Sequence, residues 1–75
     1  STQRDQALRS LEMAGLLPLI DVVVGGNEVR EGKPAPEIFL RCADAIGVDA
    51  VRCVALEDSS VGVHAAHAAR MLTIM

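Results

Sequence analysis

Glycine and proline interrupt this chain at Gly15, Pro18, Gly25-Gly26, Gly32, Pro34, Pro36 and Gly47, so only short elements fit between the breaks. The residues between them set the type of each element. Ala7, Leu8, Leu11 and Met13, with Ala14, fall mostly at helical spacing and predict a helix from Thr2 to Ala14, with Gly15 at the left-handed stop position. After Pro18, the β-branched run Asp21-Val22-Val23-Val24 reads as a buried strand closed by Gly25-Gly26. A polar loop leads to Gly32-Lys33-Pro34-Ala35-Pro36 and then to a second helix, Pro36 to Ile46, with Ile38, Phe39, Cys42, Ala45 and Ile46 on its apolar side and Gly47 as its stop. Val51 to Leu56 reads as a second strand, Ser60 to about Arg70 as an Ala-rich third helix, and Leu72 to Met75 as a third strand. Helix and strand in strict alternation with short connections predict an α/β fold, a parallel sheet with helices on its faces. In such folds the loops that bear chemistry gather at one edge of the sheet.

With 75 residues, the chain holds one domain at most. Its residues are 51% hydrophobic but only 1% aromatic, so the core must come from Ala, Val, Leu and Ile, with Phe39 as the one aromatic. The net charge of −3 and the scattered cations provide neither a basic stripe nor a stacking platform, which argues against nucleic acid. No apolar run approaches the length of a membrane span, and the opening Ser-Thr-Gln-Arg-Asp-Gln is no signal peptide. Cys42 and Cys53 have no partners at zinc-ligand spacing and read as small hydrophobes in a reducing, cytoplasmic protein. Ser1 without an initiator Met, and an apolar end at Met75, lead us to expect a fragment of a longer protein.

Glu57-Asp58 is the sharpest chemical feature, two adjacent carboxylates directly after an apolar strand. Hard cations such as Mg²⁺ take one or two protein carboxylates and complete their octahedron with water and phosphate, so the pair suits a share of a metal site. The same acids also suit the cap of the helix that follows. Lys33, held in a Gly-Lys-Pro turn, can bind a phosphoryl group or neutralise a carboxylate; as an isolated residue it would be an ordinary exposed lysine. A nucleotide-binding G-x-x-x-x-G-K-S/T loop is a weak reading, because Pro34 follows Lys33 and Asn27 stands where the first Gly belongs. His64 and His67 have no third ligand nearby and read as solvated or partly packed.

Taken together, Gly32-Lys33-Pro34-Ala35-Pro36-Glu37-Ile38-Phe39 and Glu57-Asp58-Ser59-Ser60-Val61-Gly62-Val63-His64-Ala65-Ala66 resemble the third and fourth motifs of the haloacid dehalogenase superfamily, in its β-phosphoglucomutase and sugar-phosphatase branch. The patterns are G-K-P-x-P-x-I/V-F/Y and E-D-S-x-x-G-I/V-x-A-A, in the family's order and near its usual spacing. The resemblance implies the carboxyl-terminal half of a Rossmann-like core domain over residues 1–75, without the cap. It implies that Lys33 contacts the transferred phosphoryl group and the nucleophile, that Asp58 with Glu57 holds Mg²⁺, and that the parent is a phosphatase or phosphomutase acting on a small phosphorylated metabolite through an aspartyl-phosphate. Gly62 would let the last helix pack closely on the sheet.

Three positions depart from the family. The first motif, D-x-D-x-T/V, which carries the nucleophile, is absent from this sequence, so the chain alone should not turn over substrate. The Ser or Thr of the second motif would fall just before Ser1, which makes Ser1 the residue here nearest that substrate-binding position. Arg70 stands where the family has Gly, at a helix end that favours a left-handed residue. The alternative to an enzyme fragment is a non-catalytic module with a binding or assembly role; a third, weaker reading is a divalent-metal binder without phosphate chemistry.

Overall fold

The computed structural model describes residues 2–75. It contains helices α1 (Gln3–Met13), α2 (Glu37–Ile46) and α3 (Ser60–Ala68), strands β1 (Val54–Leu56) and β2 (Leu72–Ile74), and short 3₁₀ turns at Leu17–Leu19, Gly26–Glu28 and Ala50–Arg52. The strands pair in parallel with Val54 opposite Leu72, Ala55 opposite Thr73 and Leu56 opposite Ile74. β1, α3 and β2 thus form a βαβ unit, with α2 packed beside α3. None of the helices among the described residues is long and apolar enough to cross a membrane.

α1 begins where Thr2 and Asp5 form a capping box: the Asp5 amide donates to Thr2 Oγ1 at 3.1 Å, and the Thr2 amide donates to Asp5 Oδ2 at 3.3 Å. It ends at left-handed Gly15 (φ 72°), with the Leu16 amide reaching back to the Leu11 carbonyl at 2.9 Å. No residue of α1 is buried. The helix is held instead by its first turn. The Arg4 amide donates to Asn27 Oδ1 at 3.0 Å, and the Arg4 guanidinium lies 3.4 Å from Glu28. A Cβ on Gly25 would come within 2.6 Å of the Arg4 amide nitrogen, so only glycine allows this approach.

The first expected strand does not form. Asp21–Val24 pairs with no strand among the described residues, and the Val23 carbonyl accepts from Arg4 Nε at 3.4 Å. A β-branched run becomes a strand only when a neighbour completes its hydrogen-bond ladder. The second expected strand is shortened, because Ala50–Arg52 winds into a 3₁₀ turn closed by Arg52 donating to the Asp49 carbonyl at 2.9 Å. Cys53 therefore precedes β1 instead of lying within a strand, and β2 stops at Ile74.

α3 stops at Ala68, short of the expected Arg70. Arg70 adopts φ 66°, and the Met71 amide donates to the Ala66 carbonyl at 3.0 Å, the bond that closes a helix around a left-handed residue. Arg70 thus takes the conformation glycine would occupy.

The core is small and made mostly of alanine. Ala43, Ala55, Ala66, Ala69 and Met71 are buried together, and Phe39, Ala50 and Cys53 pack against them. Methyl-sized side chains let α2 and α3 lie close on one face of the ladder. The opposite face carries Val54, Leu56, Leu72 and Ile74, which are 52–77% exposed, so burial of the strands is one-sided.

Relieving a left-handed L-residue is worth about 1–2 kcal/mol, more than the roughly 0.4–1 kcal/mol that an added glycine gives the unfolded chain. Arg70→Gly should therefore raise the urea midpoint. A lower midpoint would mean that the Arg70 side chain itself secures the turn.

Candidate functional site

Two segments distant in sequence meet at the end of β1. The first is the lysine loop. Its Gly32–Ala35 turn is closed by the Ala35 amide on the Gly32 carbonyl at 3.0 Å, and the Lys33–Pro34 peptide is cis. Glu37, the first residue of α2, accepts from the amides of Arg30 at 2.9 Å and Glu31 at 3.2 Å, tying the loop back to its own helix. The Arg30 amide, followed by that of Glu31 and the charges of Arg41 and Arg30, holds the Glu37 carboxyl below its ordinary range against a smaller opposing effect of desolvation.

The second segment is Glu57 to Gly62. The Glu57 amide continues the ladder by donating to the Ile74 carbonyl at 3.0 Å. Its side chain, only 9% exposed, receives Lys33 Nζ on Oε2 at 2.9 Å and, on Oε1, the Asp58 amide at 3.1 Å and Ser59 Oγ at 3.3 Å. Ser59 Oγ in turn accepts from the Gly62 amide at 3.1 Å and caps α3. The hydrogen bond from Lys33 chiefly lowers the Glu57 pKa from its ordinary 4.5 to about 2, with help from Asp58 and Ser59 and against desolvation.

Gly62 makes this burial possible. A Cβ there would collide with Cγ, Cδ and Oε1 of Glu57. The sequence assigned Gly62 to close helix–sheet packing; the structure adds that the space it leaves is filled by the Glu57 side chain.

Asp58 differs from its neighbour. It is exposed, and its carboxylate makes no hydrogen bond or ion pair among the described residues. It borders a shallow hollow with Leu56, Glu57, Ile74 and Met75. The structure therefore joins Lys33 to Glu57 and leaves Asp58 beside them with neither oxygen engaged among the described residues. Its hard oxygen donors suit Mg²⁺, but no group of three or more His, Cys, Asp or Glu side chains able to hold a metal occurs among the described residues. The pair fits a share of a site. Ser1 lies outside the described residues.

The remaining candidates do not join this cluster. His64 and His67 are exposed on α3. Cys42 and Cys53 are both free thiols, and burial, followed by the charge of Glu28, pushes the Cys42 thiol up, away from nucleophilic thiolate. A hollow lined by Arg4, Leu8, Val22, Arg41 and Asp44 among others contains neither Lys33 nor the acid pair, and it carries no chemistry assigned from the sequence. Two residues of the site had no chemical role in the sequence reading. Glu37 at the first turn of α2 could have been noticed as an acid placed to accept loop amides. Phe39 was read only as core, yet its ring centroid lies 5.5 Å from Lys33 Nζ.

Known proteins resemble this chain in sequence and in fold. The family model described as haloacid dehalogenase-like hydrolase matches residues 1–75. The fructose-1-phosphate phosphatase of Escherichia coli is 46% identical over 57 residues, 76% of this chain and 30% of that protein. Hexitol phosphatase B of the same organism is 42% identical over 65 residues, 87% of this chain and 29% of that protein. The crystal structure of β-phosphoglucomutase from Clostridium difficile superposes with a TM-score of 0.87 at 31% identity, covering 91% of this chain and 30% of that one. The chain thus spans just under a third of the length of these relatives.

The Glu57 carboxyl yields a pH prediction. Its folded pKa is depressed from 4.5 to about 2, so the stability it contributes is complete above 4.5 and disappears as pH falls through 2. The thermal midpoints of the unaltered chain and Glu57→Gln should differ most above pH 4.5 and converge toward pH 2, the acid response of other carboxyls being common to both. A pH-independent difference would remove the ion pair as its cause.

Gly62→Ala gains about 1 kcal/mol of helix propensity but overpacks a filled space at about 1–3 kcal/mol, so the collision should dominate. Net destabilisation is expected, with the Glu57 carboxyl titrating nearer its ordinary value by NMR. An undisturbed titration would show that α3 yields instead of Glu57.

Proposed function

Given that the chain belongs to the haloacid dehalogenase-like hydrolase family, we propose that it supplies the electrostatic half of a Mg²⁺-dependent phosphoryl-transfer site. The observation that carries this reading is the division of labour at the end of β1: Lys33 held at 2.9 Å by a nearly buried Glu57, with Asp58 beside it and unpaired among the described residues.

Lys33 serves as the fixed cation for the phosphoryl group. One of its three N–H donors goes to Glu57, and the others remain for an incoming oxyanion. Asp58 offers the principal metal ligand, while Glu57 orients Lys33 and assists through any lone pair its three donors leave open. Mg²⁺, when bound, would add positive charge against the equatorial oxygens of the transferring group. Ser59, which caps α3 and donates to Glu57, keeps the acid pair at the start of that helix.

The bond-making carboxylate belongs to the parent protein, whose reaction would run through an aspartyl-phosphate. The parent's substrate class is a small phosphorylated metabolite, a sugar phosphate above all, given the names of the relatives. The alternative of a module with an assembly role draws on one observation, the exposed aliphatic face of Val54, Leu56, Leu72 and Ile74.

In the complete protein, Asp58→Asn and Lys33→Met should each lower kcat/KM for hexose phosphates by about 10²–10³-fold, and chelation of Mg²⁺ should abolish phosphate release. Turnover that survives the chelator, or an unaffected Asp58→Asn, would sink the reading. The 75-residue chain by itself should release no phosphate from p-nitrophenyl phosphate.

A further inference from the structure

We propose that Phe39 is a positioning residue for Lys33, its ring face forming the second of two anchors that hold the ammonium at the end of β1. The inference rests on the role given to Lys33 above. It starts from a mechanical difficulty. A lysine side chain is a compact charge on a flexible four-carbon stem, so a single ion pair sets its distance to the partner but not the direction of its remaining N–H groups. Lys33 is also 36% exposed, and water competes for such a pair.

The ring centroid of Phe39 lies 5.5 Å from Lys33 Nζ, within the range in which an aromatic face attracts a cation. Phe39 is a firm platform, because it sits in the first turn of α2 and packs against the cluster of Ala43, Ala55, Ala66, Ala69 and Met71. Glu37 ties the lysine loop to the same helix end. Glu57, by contrast, directly follows β1. The ammonium is therefore held by one group from α2 and one from the end of the strand.

An aromatic ring suits this task for a chemical reason. A second carboxylate would fix Lys33 equally well but would outweigh its charge and take another N–H. A ring face attracts the ammonium through its quadrupole, leaving the formal charge intact and the free N–H groups directed at an anion. Leucine at position 39 would fill similar apolar space without that attraction.

The chain has one Phe and no Trp or Tyr, so the Lys33 methylene next to Nζ can feel only one benzenoid ring. In NMR spectra of the 75-residue chain we expect those protons upfield of their unstructured position, with nuclear Overhauser contacts to the Phe39 ring and to the Glu57 side chain. Both the shift and the contacts should persist in Phe39→Tyr. The shift should also persist in Glu57→Gln, because the ring is an independent anchor. In Phe39→Leu the shift should vanish and the Lys33–Glu57 contacts weaken severalfold.

An unstructured Lys33 shift in the unaltered chain would overturn the proposal. So would a Lys33–Glu57 contact undiminished in Phe39→Leu, or a shift lost in Glu57→Gln, which would make the ring contact a by-product of the ion pair. Should Phe39→Leu fail to fold, seen as collapse of the Met71 and Ala66 methyl dispersion, the unaltered chain, Phe39→Tyr and Glu57→Gln still decide. None of these readouts involves Mg²⁺ or phosphate, so failure of the phosphoryl-transfer reading would be recorded by different experiments.

Discussion

A nearly buried carboxylate at the end of a parallel strand is the constraint around which the site is organised. Glu57 cannot leave water uncompensated, and its partners come from three directions: an ammonium from a loop 24 residues earlier, a backbone amide from the next residue and a hydroxyl from the helix cap. Each partner gains a fixed position in return. Lys33 is drawn to the strand end, Ser59 is set to cap α3, and α3 begins where Gly62 makes room for the acid. The same pairing accounts for the contrast between two adjacent acids, one committed to the protein and the other available to a ligand.

The alanine core explains why so short a unit can hold this arrangement. Ala55 on β1, Ala43 on α2, and Ala66 and Ala69 on or beside α3 allow close approach, so the loop before α2 and the loop after β1 are brought within hydrogen-bond reach. The cost is a core with little apolar volume and an aliphatic sheet face left in solvent. α1 shows the same economy, attached through Arg4, Asn27 and Glu28 with no buried side chain of its own. These features accord with a chain that spans under a third of its relatives' length.

Membership of the haloacid dehalogenase-like family and the superposition on β-phosphoglucomutase give the chain a shared architecture. Within it, the lysine loop is a supported device and not a bare charge. Glu37 secures its backbone, Glu57 pairs its ammonium and Phe39 lies beneath it.

Much of this was legible in the residues themselves. Helix limits followed from local signals, Gly15 and Gly47 at the stops and Pro36 before α2, because caps and left-handed ends depend on a few neighbouring residues. The order of elements and the grouping of Lys33 with the acid pair followed from motif order. Strands were less legible: Asp21–Val24 has the composition of a strand but no partner, and Val51 to Cys53 turned into a 3₁₀ bend and a link, since a strand exists only through pairing with residues far away in sequence. Only the tertiary structure separated Glu57 from Asp58, turned Gly62 from a packing residue into the space behind a carboxylate, and gave Phe39 a charged neighbour. The sequence determined which groups this protein has and the order in which they occur. Their burial, and so which charges are satisfied and which remain for a ligand, depended on contacts between segments that no local pattern encodes.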